Sequence, residues 1–221
     1  MAVLAIDTSA AVAVSLLDDD GALLAARAVD STREHAERLA PMTREVLAEA
    51  GLGPADLGAV VVGTGPAPFT GLRAGLVTAR VLARARSVPL HGVSSLDALA
   101  AGAGLAAGDE VTAVADARRK EVYAARYRVL DGGEVELVDG PHVDRPENLL
   151  RLAAGAVVVG RGALALPEVF PRAQGPETPD PAVLARLALA RAARGEALPA
   201  EPLYLRRPDA VPAAGRKRVT G

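Results

Sequence analysis

The sequence contains no cysteine and no tryptophan in 221 residues, and aromatic residues make up only 2% of it. Without cysteine the chain can form no disulfide bond, no thiolate nucleophile and no thiolate zinc site. The scarcity of aromatic rings argues against a stacking platform for exposed bases. Half of the residues are hydrophobic, which is enough to bury a core built mainly from alanine, leucine and valine.

The chain also has little net charge and no long uninterrupted hydrophobic run. The formal charge of -2, from 25 basic and 27 acidic residues, creates no overall field that would draw the chain to nucleic acid or to an anionic membrane. The long uncharged run at residues 57–72 is broken by glycine and proline, and the N-terminus lacks the basic region of a signal peptide. These absences predict a soluble, cytoplasmic protein that makes no contact with membranes.

The order of the hydrophobic patterns predicts an α/β fold. We expect two α/β lobes, at residues 1–104 and 105–221, of which the second is reduced in size. Strands are predicted at residues 2–6, 11–17, 23–29, 58–64, 89–93, 111–115, 121–130, 135–143 and 156–159. Helices are predicted at residues 31–50, 70–86, 94–103 and 182–194.

Two segments carry local signals of their own. Ser31 and Glu34 have the spacing of a capping box, which predicts the start of the first long helix. Arg216, Lys217 and Arg218 form a short basic tail, and such a tail is more often a solvated chain end than a binding element.

Two turns in the first lobe have the character of phosphate-binding loops. One follows the first strand, where an acidic residue and two hydroxyls emerge together, and the other is a glycine-proline loop that leads into the second helix. A hairpin turn capped by polar side chains and a structural strand-to-helix turn are the alternative interpretations. The residues that would face phosphate are Asp7, Thr8, Ser9, Gly65, Thr70 and Gly71.

The second helix has small residues at every fourth position, namely Gly71, Gly75, Ala79 and Ala83. Such a stripe lets another helix approach closely, although packing on the protein's own sheet would use the same stripe. Basic residues lie beside the stripe, and the first helix is acidic, so the charges of the two helices are complementary. These charged residues are Arg73, Arg80 and Arg84 on the second helix and Glu34, Glu37, Glu45 and Glu49 on the first.

Metal ligands are hard to find in this sequence. His35, His91 and His142 lie far apart and none has a second histidine four residues away. We therefore expect isolated structural histidines, no bound metal and no catalytic residue.

Six segments of the sequence resemble the signature segments of the TsaB family, also called YeaZ, and together they cover nearly the whole chain. The segments are Leu4-Ala-Ile-Asp-Thr-Ser9, His35-Ala-Glu-Arg-Leu39 with Pro41-Met42, Gly65-Pro-Ala-Pro-Phe-Thr-Gly-Leu-Arg-Ala-Gly75, Gly92-Val-Ser-Ser-Leu96, Asp116-Ala-Arg-Arg119 with Glu121-Val-Tyr123, and Tyr204-Leu-Arg206.

The resemblance implies an actin-like ATPase fold of the sugar-kinase and Hsp70 type, and a role in forming threonylcarbamoyladenosine beside the tRNA anticodon. It implies a heterodimer with a TsaD-type transferase, a TsaE-type ATPase in the same complex, and self-association of the isolated chain. Contact with tRNA and any ATP, ADP or Mg²⁺ are then expected only at the level of the complex, with no cofactor held tightly by this subunit. The implied contact surface is the first two long helices, with His35, Leu39, Met42, Val46, Arg73, Gly75, Leu76, Ala79, Arg80 and Ala83 facing the partner.

The leading hypothesis is therefore a non-catalytic partner subunit. An alternative is an autonomous ATPase or kinase that uses Asp7 with Mg²⁺ and Asp116 as the base. A glycoprotease-like metallopeptidase is a third hypothesis, which would need metal ligands that the sequence does not supply. One departure from the family pattern is Ala67-Pro68, where a Gly-Ser pair is usual, and it removes a flexible position and a hydroxyl from the glycine-proline loop.

Overall fold

The computed structural model describes residues 1–30 and 35–206, with the side chains of residues 35 and 36 outside that description. The predicted capping box of Ser31 and Glu34 and the basic tail at residues 216–218 lie outside the described residues. Within the described part of the chain, no helix is both long and apolar enough to cross a membrane.

The first sheet has five strands in the order β3-β2-β1-β4-β5. The first three strands are antiparallel neighbours, and β4 and β5 continue the sheet in parallel with β1. The strands are β1 (Ala2–Asp7), β2 (Val12–Asp18), β3 (Leu23–Val29), β4 (Leu57–Gly63) and β5 (Leu90–Val93). Three helices accompany them: α1 (His35–Glu49), α2 (Phe69–Arg86) and α3 (Ser95–Ala101).

Both faces of the first sheet are covered, which explains why β1 and β4 are apolar at nearly every position. Leu4, Ile6 and Val62 lie on the face that packs against α1 and α2. Val3 and Val61 lie on the opposite face. The first lobe is therefore a three-layer α/β/α unit.

The second sheet has four strands in the order β8-β7-β6-β9. They are β6 (Glu110–Asp116), β7 (Val122–Val129), β8 (Val135–Asp144) and β9 (Val157–Val159). One face packs on α3, and the other packs on α4 (Leu150–Ala153), α5 (Arg161–Leu164) and Phe170. The helices α4 and α5 were not predicted, because four residues are too few to show a helical period.

The chain returns to the first lobe after residue 180. Helix α6 (Pro181–Ala193) begins at Asp180, whose side chain accepts a hydrogen bond from the Ala182 N–H. Its buried residues, among them Leu184 and Leu187, cover the open face of the first sheet. The predicted division placed residues 105–221 in the second lobe, whereas α6 packs on the face of the first sheet that α1 and α2 leave uncovered.

Candidate functional site

Asp7 ends β1, and other side chains of the first lobe already engage its carboxylate. Its Oδ1 accepts hydrogen bonds from the Ser9 backbone N–H at 2.8 Å and from the Ser9 hydroxyl at 2.6 Å. Its Oδ2 accepts a hydrogen bond from the Ser95 hydroxyl at 2.6 Å. Asp7 is only 2% exposed, and a Cβ on Gly63 would overlap Oδ2. The carboxylate therefore links the turn after β1 to the start of α3 and packs against the backbone of β4.

Burial raises the pKa of Asp7, because desolvation disfavours the charged form more than the hydrogen bonds from Ser9 and Ser95 favour it. The native chain thus binds a proton at this site more tightly than the unfolded chain does. The contribution of that proton to stability is present below the unfolded pKa, at about pH 4, and is lost as the pH rises through the higher folded pKa.

We expect an Asp7→Asn variant to gain stability relative to the wild type as the pH rises. The asparagine oxygen can still accept from Ser9 and its amide can donate to Ser95, but the variant has no charge to bury. Urea denaturation of both proteins between pH 4 and pH 8 measures the difference in the free energy of unfolding. If the free energies of unfolding of the two proteins differ by the same amount at every pH, the raised pKa of Asp7 is contradicted. An ATPase that used Asp7 to hold Mg²⁺ would lose its ATP hydrolysis in this variant.

Thr8 fixes the turn after β1 to the first turn of α2. Its hydroxyl donates a hydrogen bond to the Gly71 carbonyl at 2.8 Å, and a Cβ on Gly75 would overlap the Thr8 Oγ1. The missing side chain at Gly75 therefore allows close approach of α2 to the protein's own β1–β2 turn.

A cavity of about 360 Å³ lies between the two lobes. The phosphate-type turns line it with Thr8, Ser9, Thr70 and Gly71. The second lobe and the segment after it line the cavity with Asp116, Arg118, Arg161 and Glu177. Asp7 and Gly65 do not line it: Gly65 bonds Ser95 through both its N–H and its carbonyl. The structure thus brings four of the six predicted residues together and places the other two behind them.

The cationic side chains at this cavity have acidic partners within the chain. Arg161 lies 2.7 Å from Asp30 and 3.5 Å from Glu177, and these partners raise its pKa. Arg118 lies 3.3 Å from Asp116. Since Asp30 follows β3 and Arg161 begins α5, the first of these ion pairs links the two lobes. The sequence pattern did not indicate Arg161 or Glu177, because neither stands in a recognisable motif.

The β6–β7 hairpin reaches the cavity with an unusual backbone. Arg118, Arg119 and Lys120 all have positive φ values, of 61°, 57° and 62°. This region is costly for residues other than glycine, by about 1–2 kcal/mol each. The Asp116 carboxylate holds the turn by accepting the Arg118 N–H at 2.7 Å.

Most of the residues predicted to face a partner lie in the protein's own core. Leu39, Met42, Val46, Leu76, Ala79 and Ala83 are buried in the cluster between the first sheet and the two helices, and Gly75 is buried in α2. This corrects the predicted contact surface: the small-residue stripe of α2 packs on the protein itself, the alternative noted for it above. His35 begins α1, and its side chain lies outside the described part.

The exposed side of α2 is formed by other residues. Val77 and Val81, one helical turn apart, are 58% and 61% exposed. Arg73, Arg80 and Arg84 are exposed near them on the same helix. We call these five residues the α2 face. Two of the predicted contact residues, Arg73 and Arg80, belong to it.

Glu45 and Glu49 of α1 and Arg80 of α2 have partners outside these two helices. Glu45 and Glu49 both pair with Arg27 of β3, at 3.7 Å and 2.5 Å. Arg80 donates to the Ala200 carbonyl at 2.8 Å. These three side chains therefore bind β3 and residue 200 rather than pairing α1 with α2.

The two histidines whose side chains the structure describes, His91 and His142, lie on strands of different sheets. Burial lowers the pKa of His91, while His142 pairs with Asp139 at 2.7 Å. Among the described residues, no group of three or more His, Asp or Glu side chains could hold a metal ion.

Comparison with known proteins assigns the family. A family model described as TsaD, tRNA N6-adenosine threonylcarbamoyltransferase, matches residues 29–177. The tRNA threonylcarbamoyladenosine biosynthesis protein TsaB of Escherichia coli is 36% identical over 175 residues, which cover 76% of this chain and 75% of that protein. The chain belongs to the TsaB family. An uncharacterized protein of Mycobacterium tuberculosis is 42% identical over 217 residues, which cover 96% of this chain and 95% of that protein.

Solved structures agree with membership of the TsaB family. YeaZ from Pseudomonas aeruginosa superposes with a TM-score of 0.78 at 34% identity, over 92% of this chain and 99% of that one. An activator of 2-hydroxyisocaproyl-CoA dehydratase from Clostridium difficile, solved with bound ADPNP, reaches a TM-score of 0.50 at 13% identity over 88% and 97% of the two chains. The second likeness concerns the fold alone, and with it the predicted actin-like architecture is confirmed.

Proposed function

We propose that this member of the TsaB family is the non-catalytic subunit that binds a TsaD-type threonylcarbamoyltransferase and holds it in an active form. The family name places the chain among the proteins of tRNA threonylcarbamoyladenosine biosynthesis. A partner role further requires a surface that the chain does not cover by itself. The observation that carries the proposal is the α2 face. There Val77 and Val81, one helical turn apart, are more than half exposed on a helix whose opposite side is buried.

The arrangement at Asp7 supports a subunit without an active site of its own. A carboxylate that holds Mg²⁺ for phosphoryl transfer must face the ligand. Here both oxygens of Asp7 accept hydrogen bonds from Ser9 and Ser95, and the side chain is buried behind the cavity. The phosphate-type turns are then structural joints between β1, α2 and α3.

The remaining parts of the complex follow from the same proposal. A TsaE-type ATPase would act on the assembled pair, and ATP, ADP, Mg²⁺ and tRNA would be bound by the complex, in the cytoplasm. The isolated chain would cover the α2 face by pairing with a second copy, which predicts an apparent mass in size-exclusion chromatography that rises with protein concentration.

Co-expression with the TsaD-type subunit of the same genome tests the proposal. We expect the two chains to co-purify in equal amounts, and threonylcarbamoyladenosine to form on tRNA only when both are present with the remaining components. ATP turnover by this chain alone serves as the control for the autonomous ATPase. A TsaD-type subunit that neither co-purifies nor gains transferase activity would overturn the proposal.

A further inference from the structure

The turn between β6 and β7 presents three consecutive cationic residues, Arg118, Arg119 and Lys120, and all three are exposed. We call them the basic turn. Backbone hydrogen bonds close this turn, because the Ala117 N–H donates to the Glu121 carbonyl and the Glu121 N–H donates to the Arg118 carbonyl, both at 3.0 Å. Ala117 is buried, so the second lobe holds the turn in place and its cations stand at the tip of a fixed hairpin.

The basic turn is built from residues that do not suit its backbone. All three have φ values in the left-handed region, which glycine, asparagine and aspartate adopt at lower cost. A turn shaped for stability alone would carry glycine or asparagine at these positions. Strained backbone conformations are concentrated at functional sites. The choice of residues therefore indicates a use for the three cations themselves.

The C-terminal end of the described chain meets the basic turn. The Arg206 side chain donates to the Ala117 carbonyl at 3.3 Å and forms an ion pair with Glu121. Residues 207–221 follow directly in the sequence, and we call them the cationic tail. The tail contains one acid, Asp209, and the basic residues Arg207, Arg216, Lys217 and Arg218. A second cationic segment therefore starts beside the basic turn.

These two segments concentrate positive charge in a chain that is slightly acidic overall. Residues 116–121 and 206–221 together contain eight basic and three acidic residues, a net charge of +5, whereas the whole chain has a formal charge of -2. Exposed charges act over a Debye length of about 8 Å at physiological ionic strength. A polyanion near the hairpin therefore responds to this local charge, and the low total charge does not oppose its binding.

The composition of this surface favours a phosphate backbone over an acidic protein. The centre of a protein interface is apolar and depleted in lysine. The basic turn has no apolar side chain, and the cationic tail has no aromatic residue. Contacts to phosphate oxygens need only cations and hydrogen-bond donors. In the proposed function the substrate of the complex is a tRNA, which supplies such a backbone.

We infer that the basic turn, together with Arg206 and the cationic tail, binds the phosphate backbone of the tRNA. This inference rests on the proposed function, in which tRNA is bound by the complex, and it assigns part of that binding to this chain. Because the contact is made by cations, it is independent of the RNA sequence and weakens as the salt concentration rises. The surface holds the tRNA without reading its bases.

The test is the binding of a fluorescein-labelled, unmodified tRNA transcript to the full chain, measured by fluorescence anisotropy between about 50 and 200 mM salt. The wild type should bind with a dissociation constant of roughly 1–100 μM. Arg119→Asn combined with Lys120→Asn removes two charges, while asparagine tolerates the left-handed backbone. This double variant should weaken binding at least about tenfold and lower the slope of log binding constant against log salt by about two.

A second variant tests the cationic tail. Replacing Arg216, Lys217 and Arg218 by serine in the full chain removes three charges from the tail and leaves the basic turn unchanged. It should also weaken tRNA binding at least about tenfold, and it should lower the salt slope by about three.

The matched control removes two exposed charges from the opposite end of the second sheet. Arg128 lies near the end of β7, and Arg194 pairs with Glu134 just before β8 begins. Arg128 stands about 20 Å along the strand from the basic turn, which exceeds the Debye length. Arg128→Gln combined with Arg194→Gln should therefore bind tRNA like the wild type. All variants should melt within a few degrees of the wild type, since exposed charges add little stability.

The outcomes separate this inference from the proposed function. A wild-type chain that does not bind tRNA, or turn and tail variants that bind it with unchanged affinity and salt slope, would overturn the inference. An equal loss in the control would show that only the total charge matters, and would overturn it too. Polyglutamate that binds as tightly as tRNA would identify an acidic protein as the occupant instead. Failure to co-purify with the TsaD-type subunit, by contrast, overturns the proposed function, and the free chain still decides the RNA contact.

Discussion

A Val81→Asp substitution is expected to abolish binding to the TsaD-type subunit while the protein stays folded. Val81 is 61% exposed, so its replacement should change the free energy of unfolding by less than about 1 kcal/mol. In the complex, an aspartate at this position would be an unpaired charge removed from water, and such a charge costs several kcal/mol. The dissociation constant should therefore rise at least about 100-fold.

Val138→Asp is the matched control for this experiment. Val138 is also an exposed valine, 44% exposed on β8 of the other lobe, far in the fold from the α2 face. It should bind the partner normally, and both variants should melt within a few degrees of the wild type. Normal binding by Val81→Asp would refute the α2 face as the docking surface. The buried Ala79 is unsuitable for such a test, because Ala79→Trp would overfill the core and unfold the chain.

A Gly63→Ala substitution is expected to destabilise the protein by roughly 2–4 kcal/mol, although it adds a single methyl group. The new Cβ would overlap the Asp7 Oδ2 and lie 2.7 Å from the Ser95 Oγ. The two neighbours are hydrogen-bonded to each other, Asp7 also accepts from Ser9, and the Ser95 hydroxyl also accepts from the Gly65 N–H, so neither can move without breaking a hydrogen bond. Thermal and urea denaturation measure this loss.

Two further variants identify the cause of that loss. Gly53→Ala is the control, because a Cβ at Gly53 meets only Asp56, at 3.8 Å, and stability should change by less than about 1 kcal/mol. Combining Gly63→Ala with Asp7→Ala removes the overlapping carboxylate, so the two effects should not add. Strict additivity would show that the crowding at Asp7 is not the source of the loss.

Much of the local structure could be predicted from the sequence. The strand at residues 23–29 has the predicted bounds, and α2 begins one residue before its predicted start. Alternating or continuous apolar runs and the glycine-proline loop are local signals, and the backbone responds to them locally. The two phosphate-type turns were located from the sequence, one after the first strand and one before the second helix, and four of their residues line the cavity.

The sequence by itself therefore determined the fold class, the order of the strands and of the longer helices, and the family of this protein. Only the tertiary structure decided which neighbour the apolar side of each helix packs against. The small-residue stripe of α2 is equally suited to a partner helix and to the protein's own sheet. In the folded chain it is buried in the core against the first sheet. Likewise, Arg73 and Tyr204 are 131 residues apart, and no local pattern indicates their contact. A periodic pattern shows that a side of a helix must be buried, whereas its neighbour depends on how the whole chain closes around its core.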